Sequence, residues 1–144
     1  MPLYRSEFPV QASPEAVWQV LMDFDSYPEW NPQIVAISGD RELGAVIDLR
    51  LSMPGRPAMD LKAKLTAFEP ARLLTWRGHV LAPWLFSGER VFAIEPQASG
   101  DVMLTHSEDI RGLLSPVFAL AMGKPARASH HALNAALKQR CEQA

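Results

Sequence analysis

The stretch from Leu113 to Glu142 constrains this chain most, because it reads as one long amphipathic helix that the other residues must cover. Ser115-Pro116 marks its start: a serine oxygen can accept from an orphan amide, and proline's missing N–H costs nothing in a first turn. Apolar residues then recur at helical spacing through Phe118, Met122, Ala126, Leu133 and Leu137, with Ala121, Ala128, Ala132 and Ala136 widening the stripe. The solvent side takes Lys124, Arg127, His131, Asn134, Lys138 and Glu142. With a rise of about 1.5 Å per residue the rod is about 40 Å long, more than twice an ordinary strand, so only a broad sheet can cover it. Pro125 removes one backbone bond and presses on the Ala121 carbonyl, which predicts a kink between Met122 and Arg127 and a cavity widened on the side of Trp84.

The preceding residues supply that sheet. Leu3 to Val10 alternates loosely as a first strand, and Ser13-Pro14-Glu15 opens a short helix through Phe24. Tyr27-Pro28-Glu29-Trp30-Asn31-Pro32 has room for one further turn. From Gln33 the period changes to two: Ile34 to Ser38, Ala45 to Met53 and Met59 to Glu69 read as strands, the last two a hairpin around Pro54-Gly55-Arg56-Pro57. Arg72 to Val80, Phe86 to Glu95 and Val102 to Ile110 complete the set, separated by the apolar loop Leu81–Leu85 and the turn Pro96–Asp101. Strands joined by short turns imply an antiparallel α+β sheet with one dry face, and the long helix is its cover. A gap between the two, where alanines meet the sheet, is the expected site.

Size and charge narrow the function classes. The 144 residues fit one domain, 1–144, and a net charge of −2 gives no basic footprint for nucleic acid and disfavours acidic membrane surfaces. No run reaches the 18 or more apolar residues that membrane insertion needs, and the start of the chain lacks a signal-like core, so a cytoplasmic protein is expected, monomeric or homodimeric. The single cysteine, Cys141, excludes an intrachain disulfide and reads as a packing residue. GxGxxG, GxxxxGK[ST], GxSxG and CxxC are all missing, which removes support for dinucleotide, nucleoside triphosphate, serine-hydrolase and thioredoxin readings, and no cofactor is expected.

Four segments carry a resemblance: Ser13-Pro14-Glu15-Ala16-Val17-Trp18, Tyr27-Pro28-Glu29-Trp30-Asn31-Pro32, Ser87-Gly88-Glu89-Arg90-Val91-Phe92, and Leu104-Thr105-His106-Ser107-Glu108 with Gly112. Together they resemble the SRPBCC superfamily, within it the polyketide cyclase/dehydrase and lipid-transport group, over Tyr4 to Glu142. The resemblance implies the helix-grip fold of START domains and the birch-pollen allergen: a curved antiparallel sheet of six to seven strands wrapped around the C-terminal helix, with two short helices after the first strand. It also implies a cavity for a lipid, polyketide or similar apolar molecule. Members include enzymes and carriers, and fold alone does not separate them.

Strand parity picks out the residues that could carry chemistry. Val102, Leu104 and Ile110 set the inward side of the last strand and take His106 and Glu108 with them, while Phe92 and Ile94 turn Arg90 inward on its neighbour. In the functional reading Arg90 holds a carboxylate or enolate oxygen and His106 or Glu108 acts as general acid or base. In the structural reading the three are an ion-pair cluster near the sheet's open end. Trp30, Trp76, Trp84 and Phe86 are candidates for a cavity mouth, and Leu49, Leu65, Phe92, Phe118, Met122 and His130 for its walls. Four scattered histidines without HxH or HExxH spacing predict no metal site. Three functions follow: a carrier of a hydrophobic or amphipathic small molecule, a cofactor-free cyclase/dehydratase working by acid–base chemistry, or a non-catalytic interaction module with a vestigial cavity.

Overall fold

The computed structural model describes residues 3–143. Strand β1 (Leu3–Val10) leads into α1 (Pro14–Met22), a 3-10 turn at Phe24–Ser26 and the short α2 (Tyr27–Trp30). Six strands follow, β2 (Ile34–Ser38), β3 (Val46–Leu51), β4 (Met59–Glu69), β5 (Leu73–His79), β6 (Ser87–Pro96) and β7 (Val102–Arg111), and then α3 (Ser115–Gln143). The sheet order is β1-β7-β6-β5-β4-β3-β2, antiparallel throughout, and it curls as a half-barrel around α3 in the helix-grip fold. None of the described helices is long and apolar enough to cross a membrane.

Local chemistry accounts for the starts and stops. The Ser13 side chain accepts from the Ala16 amide at 3.1 Å and Pro14 occupies the first turn, so α1 begins where its cap is satisfied. In α2 the chain turns back at once, and the Tyr27 hydroxyl donates to the Leu21 carbonyl at 2.7 Å inside the core. A register shift in β4 between Leu65 and Ala67 kinks the sheet opposite Trp76 and Thr75, the kind of irregularity by which a sheet bends.

The core lies between the concave face and α3. Leu133, Leu137 and Cys141 of α3 are wholly or almost wholly buried among Val17 and Leu21 of α1 and Leu65, Leu74 and Leu104 of the sheet. Each such leucine contributes roughly 1.5–3 kcal/mol by leaving water, which is what fixes the rotation of the helix.

That rotation corrects the helix face expected from sequence. Asn134 is buried, not on the wet side, because it shares the face of His130, Leu133 and Leu137 and meets a partner there. Ala121, Ala128 and Ala132 are exposed, since a methyl group buries too little surface to compete with leucine for the inner face. Ser115 does not cap an amide; its hydroxyl donates to the Gly112 carbonyl at 2.9 Å. Through Pro125 the helix runs on without a break from Ser115 to Gln143.

Candidate functional site

Antiparallel pairing sets Arg90 opposite Glu108 and Phe92 opposite His106, so the strand parity that turns Phe92 and Leu104 inward turns the polar trio inward too. The three converge. Arg90 donates through Nη2 to Glu108 at 2.8 Å, and through Nη1 to Gln33 Oε1 at 2.9 Å and to His106 Nε2 at 2.8 Å. Nδ1 of His106 lies 2.6 Å from Oδ1 of Asn134, and Nδ1 of His130 lies 2.9 Å from the other oxygen of Glu108. Ser6 Oγ meets the far nitrogen of His130 at 3.1 Å. This network is not at a wet sheet end: the Arg90 and Glu108 side chains are 6% and 14% exposed.

The bonds dictate protonation. A guanidinium only donates, so His106 Nε2 must be the acceptor and its proton sits on Nδ1, directed at Asn134. Burial, reinforced by the Arg90 charge, holds His106 well below the usual histidine range, in the neutral form. Burial by itself raises the Glu108 carboxyl, but Arg90 and the His130 hydrogen bond outweigh it and bring it to about 2. Burial draws Arg90 down while Glu108 draws it up, and the guanidinium stays charged. Arg90 and Glu108 are therefore a buried cation facing a buried anion.

Aromatic stacking ties the network to both layers. Phe92, His106 and His130 form a column, with centroids 4.6 and 4.1 Å apart and planes within 8° and 6° of parallel, reaching from β6 across β7 to α3. Trp76 tilts against Phe92 at 5.8 Å.

His106, Glu108 and His130 also bring three potential metal donors within 4.8 Å of one another. The donor set does not fit an ion. A metal–imidazole bond lies in the ring plane, and two rings stacked face to face share no point that both lone pairs address. His106 already accepts from a cation that would repel the metal.

Beside this network lies a cavity of about 120 Å³. Leu49, Leu51, Leu61, Trp76, Ile110 and Phe118 give it apolar walls, and Tyr4, Gln33, Arg90 and Glu108 a polar floor. Ala126 is the α3 alanine at its lining, and Met59, Val80 and His79, all exposed, mark its opening. An apolar cavity near 150 Å³ admits a benzene ring, so this one suits a single ring or short chain unless its opening widens.

Of the residues singled out from sequence, Arg90, Glu108, Leu49, Trp76, Phe86 and Phe118 line this cavity. His106, His130 and Phe92 stand behind its floor in the stacked column. Leu65 is wholly buried in the core. Trp30 faces a separate groove with Arg41 and Arg140, Met122 is half-buried on α3, and Trp84 is 67% exposed on the β5–β6 turn. Sequence reasoning missed Tyr4, Gln33 and Asn134. Asn134 was within reach of it, four residues after His130 and three before Leu137; Gln33 gives no such signal, since its role comes from a contact 57 residues away.

A family model described as polyketide cyclase / dehydrase and lipid transport matches residues 1–142. No curated protein matches the sequence. Among solved structures, a START superfamily protein from Mycobacterium smegmatis is 21% identical with a TM-score of 0.75, over 98% of this chain and 97% of that one. The di-domain ARO/CYC StfQ of the steffimycin biosynthetic pathway is 14% identical with a TM-score of 0.69, over 98% of this chain and 51% of that one. The Aha1 dimer from Colwellia psychrerythraea is 19% identical with a TM-score of 0.70, over 99% and 97%. Likeness at these identities establishes the fold.

Proposed function

The chain belongs to the polyketide cyclase / dehydrase and lipid-transport family, and from that premise we propose that it is a carrier, binding an uncharged apolar molecule that bears an oxygen at one end. Membership supports hydrophobic ligand binding in general. The finer reading rests on one observation: apolar walls end in a floor whose charges cancel, Arg90 against Glu108. A carboxylate ligand would need a free cation there, and Arg90 already faces an anion. The donors left for a ligand oxygen are neutral, the Gln33 amide nitrogen, whose oxygen serves Arg90, and the Tyr4 hydroxyl.

Acid–base catalysis fits these groups less well. Glu108 near 2 is a weak base and not an acid at neutral pH, and the His106 lone pair is engaged by Arg90. A vestigial interior is disfavoured by the cavity itself.

Native mass spectrometry of freshly purified protein tests for a retained small molecule, and displacement of the neutral probe 1-aminoanthracene tests the cavity. Ala126→Phe should fill the lining from α3 and weaken probe binding at least about tenfold while the protein stays folded. Unchanged binding in both Ala126→Phe and Leu49→Phe places the probe elsewhere and ends this reading.

A further inference from the structure

Among the described residues, five large apolar side chains left in water stand on two adjoining segments. Leu81 (84% exposed) and Trp84 (67%) stand on the β5–β6 turn, and Leu113 (71%), Val117 (61%) and Leu120 (91%) stand where α3 begins. The two segments are joined by backbone bonds, Leu113 N to Trp84 O at 3.1 Å and Leu114 N to Leu85 O at 2.9 Å, so these side chains form one patch. Leu81 is presented at a φ of +67°, a conformation that costs a non-glycine residue about 1–3 kcal/mol and gains it no burial here. A contiguous apolar patch of this kind marks an interaction surface.

Its charge identifies the partner. From Leu113 to Arg127 there are two cations and no acid, and residues 79–86 carry no aspartate, glutamate, lysine or arginine, in a chain whose net charge is −2. Lys124 and Arg127, both exposed, follow Leu120 by one and two turns of α3. We propose that this face docks on an anionic lipid bilayer, with Trp84, Leu81 and Leu120 in the headgroup boundary and Lys124 and Arg127 on the lipid phosphates. Apolar and tryptophan side chains rimmed by cations are what such a boundary takes. A second copy fits worse, since a two-fold contact here would bring the cations of both copies together. The chain's net charge disfavours acidic membranes only on average; within a Debye length of about 10 Å a bilayer meets the local face. Val80 adjoins Leu81 and lines the cavity opening, so docking sets that opening against lipid.

Flotation with phosphatidylcholine vesicles, with and without phosphatidylglycerol and with no cavity ligand added, reads docking independently of the carrier function. The wild type should float with the anionic vesicles, with a blue shift in emission that Trp84→Phe removes. Lys124→Gln should weaken binding about fivefold. Leu120→Glu should abolish it, while Leu43→Glu, at a leucine 67% exposed but outside the patch, should change nothing. Failure to float with anionic vesicles, equal flotation of Leu120→Glu, or a dimer that Leu120→Glu dissociates would each overturn the proposal.

Discussion

Nη1 of Arg90 stands 2.8 Å from Nε2 of His106, an approach of a permanent cation to an imidazole that is tolerable only while that nitrogen carries no proton. On the far side of the ring Asn134 Oδ1 receives the Nδ1 proton at 2.6 Å. Two strands and a helix thus hold one tautomer. Nitrogen-15 imidazole spectra should show His106 neutral and protonated at Nδ1 alone, with no titration as pH falls through 6.5, where a free histidine titrates. A mixed-tautomer signal, or a midpoint near 6.5, would contradict the bond assignment.

Stability should fall in acid in two stages. His106 is held below 6.5 in the fold, so as pH drops past 6.5 the unfolded chain takes up a proton that the folded one refuses. Its contribution is complete above 6.5 and declines below it. Glu108 follows the same sign, about 2 when folded against 4.5 free, so its contribution, roughly 3 kcal/mol, is complete above 4.5 and is lost as pH falls toward 2. Urea unfolding midpoints measured across this range should decline stepwise. A flat profile from about pH 7 to pH 3 would show that neither group is perturbed.

Removing one member of the buried pair should hurt more than removing both. Arg90→Ala strands the Glu108 carboxylate, 14% exposed, with no cation beside it, and should cost about 3–5 kcal/mol. Pairing Arg90→Met with Glu108→Met leaves no buried charge and should recover much of that loss. Urea unfolding of Arg90→Met, Glu108→Met and the double variant gives the coupling directly; additive losses would mean that the two charges do not interact.

How much of this was legible in the sequence depends on the range of the interaction. The period-two pattern of β6 and β7 was enough to place Arg90, His106 and Glu108 on the inner face, since side-chain direction alternates strictly along a strand. Their partners were not legible, because Gln33 and Asn134 arrive from 57 and 28 residues away by packing. Asn134 also shows how residue type misleads: a polar residue is expected on the wet face, although Leu133 and Leu137 fix the helix rotation and bring it inside. Trp84 shows a second limit. Its place in an apolar loop beside Pro83 suggests a cavity mouth, yet the turn that carries it faces outward and leaves it in solvent, off the cavity lining.

One glycine should prove far less replaceable than its neighbour in the same structure. Gly112 joins β7 to α3 at a φ of +109°, and a Cβ there would sit 2.5 Å from the Leu85 carbonyl oxygen and 2.8 Å from the Phe86 nitrogen, backbone atoms that cannot swing aside. Its carbonyl also receives the Ser115 hydroxyl, and the next two amides bind the β5–β6 turn. Gly112→Ala therefore combines φ strain with a backbone collision and should cost about 3 kcal/mol or more, loosening the turn from the start of α3. Gly88→Ala makes the control, because its added methyl would meet Ile110 Cδ1 at an ordinary 3.5 Å. That variant should stay within about 1 kcal/mol of the wild type in urea unfolding. Equal effects at the two positions would mean that the junction yields, and that Leu113 and Leu114 are not held against the turn as the structure has them.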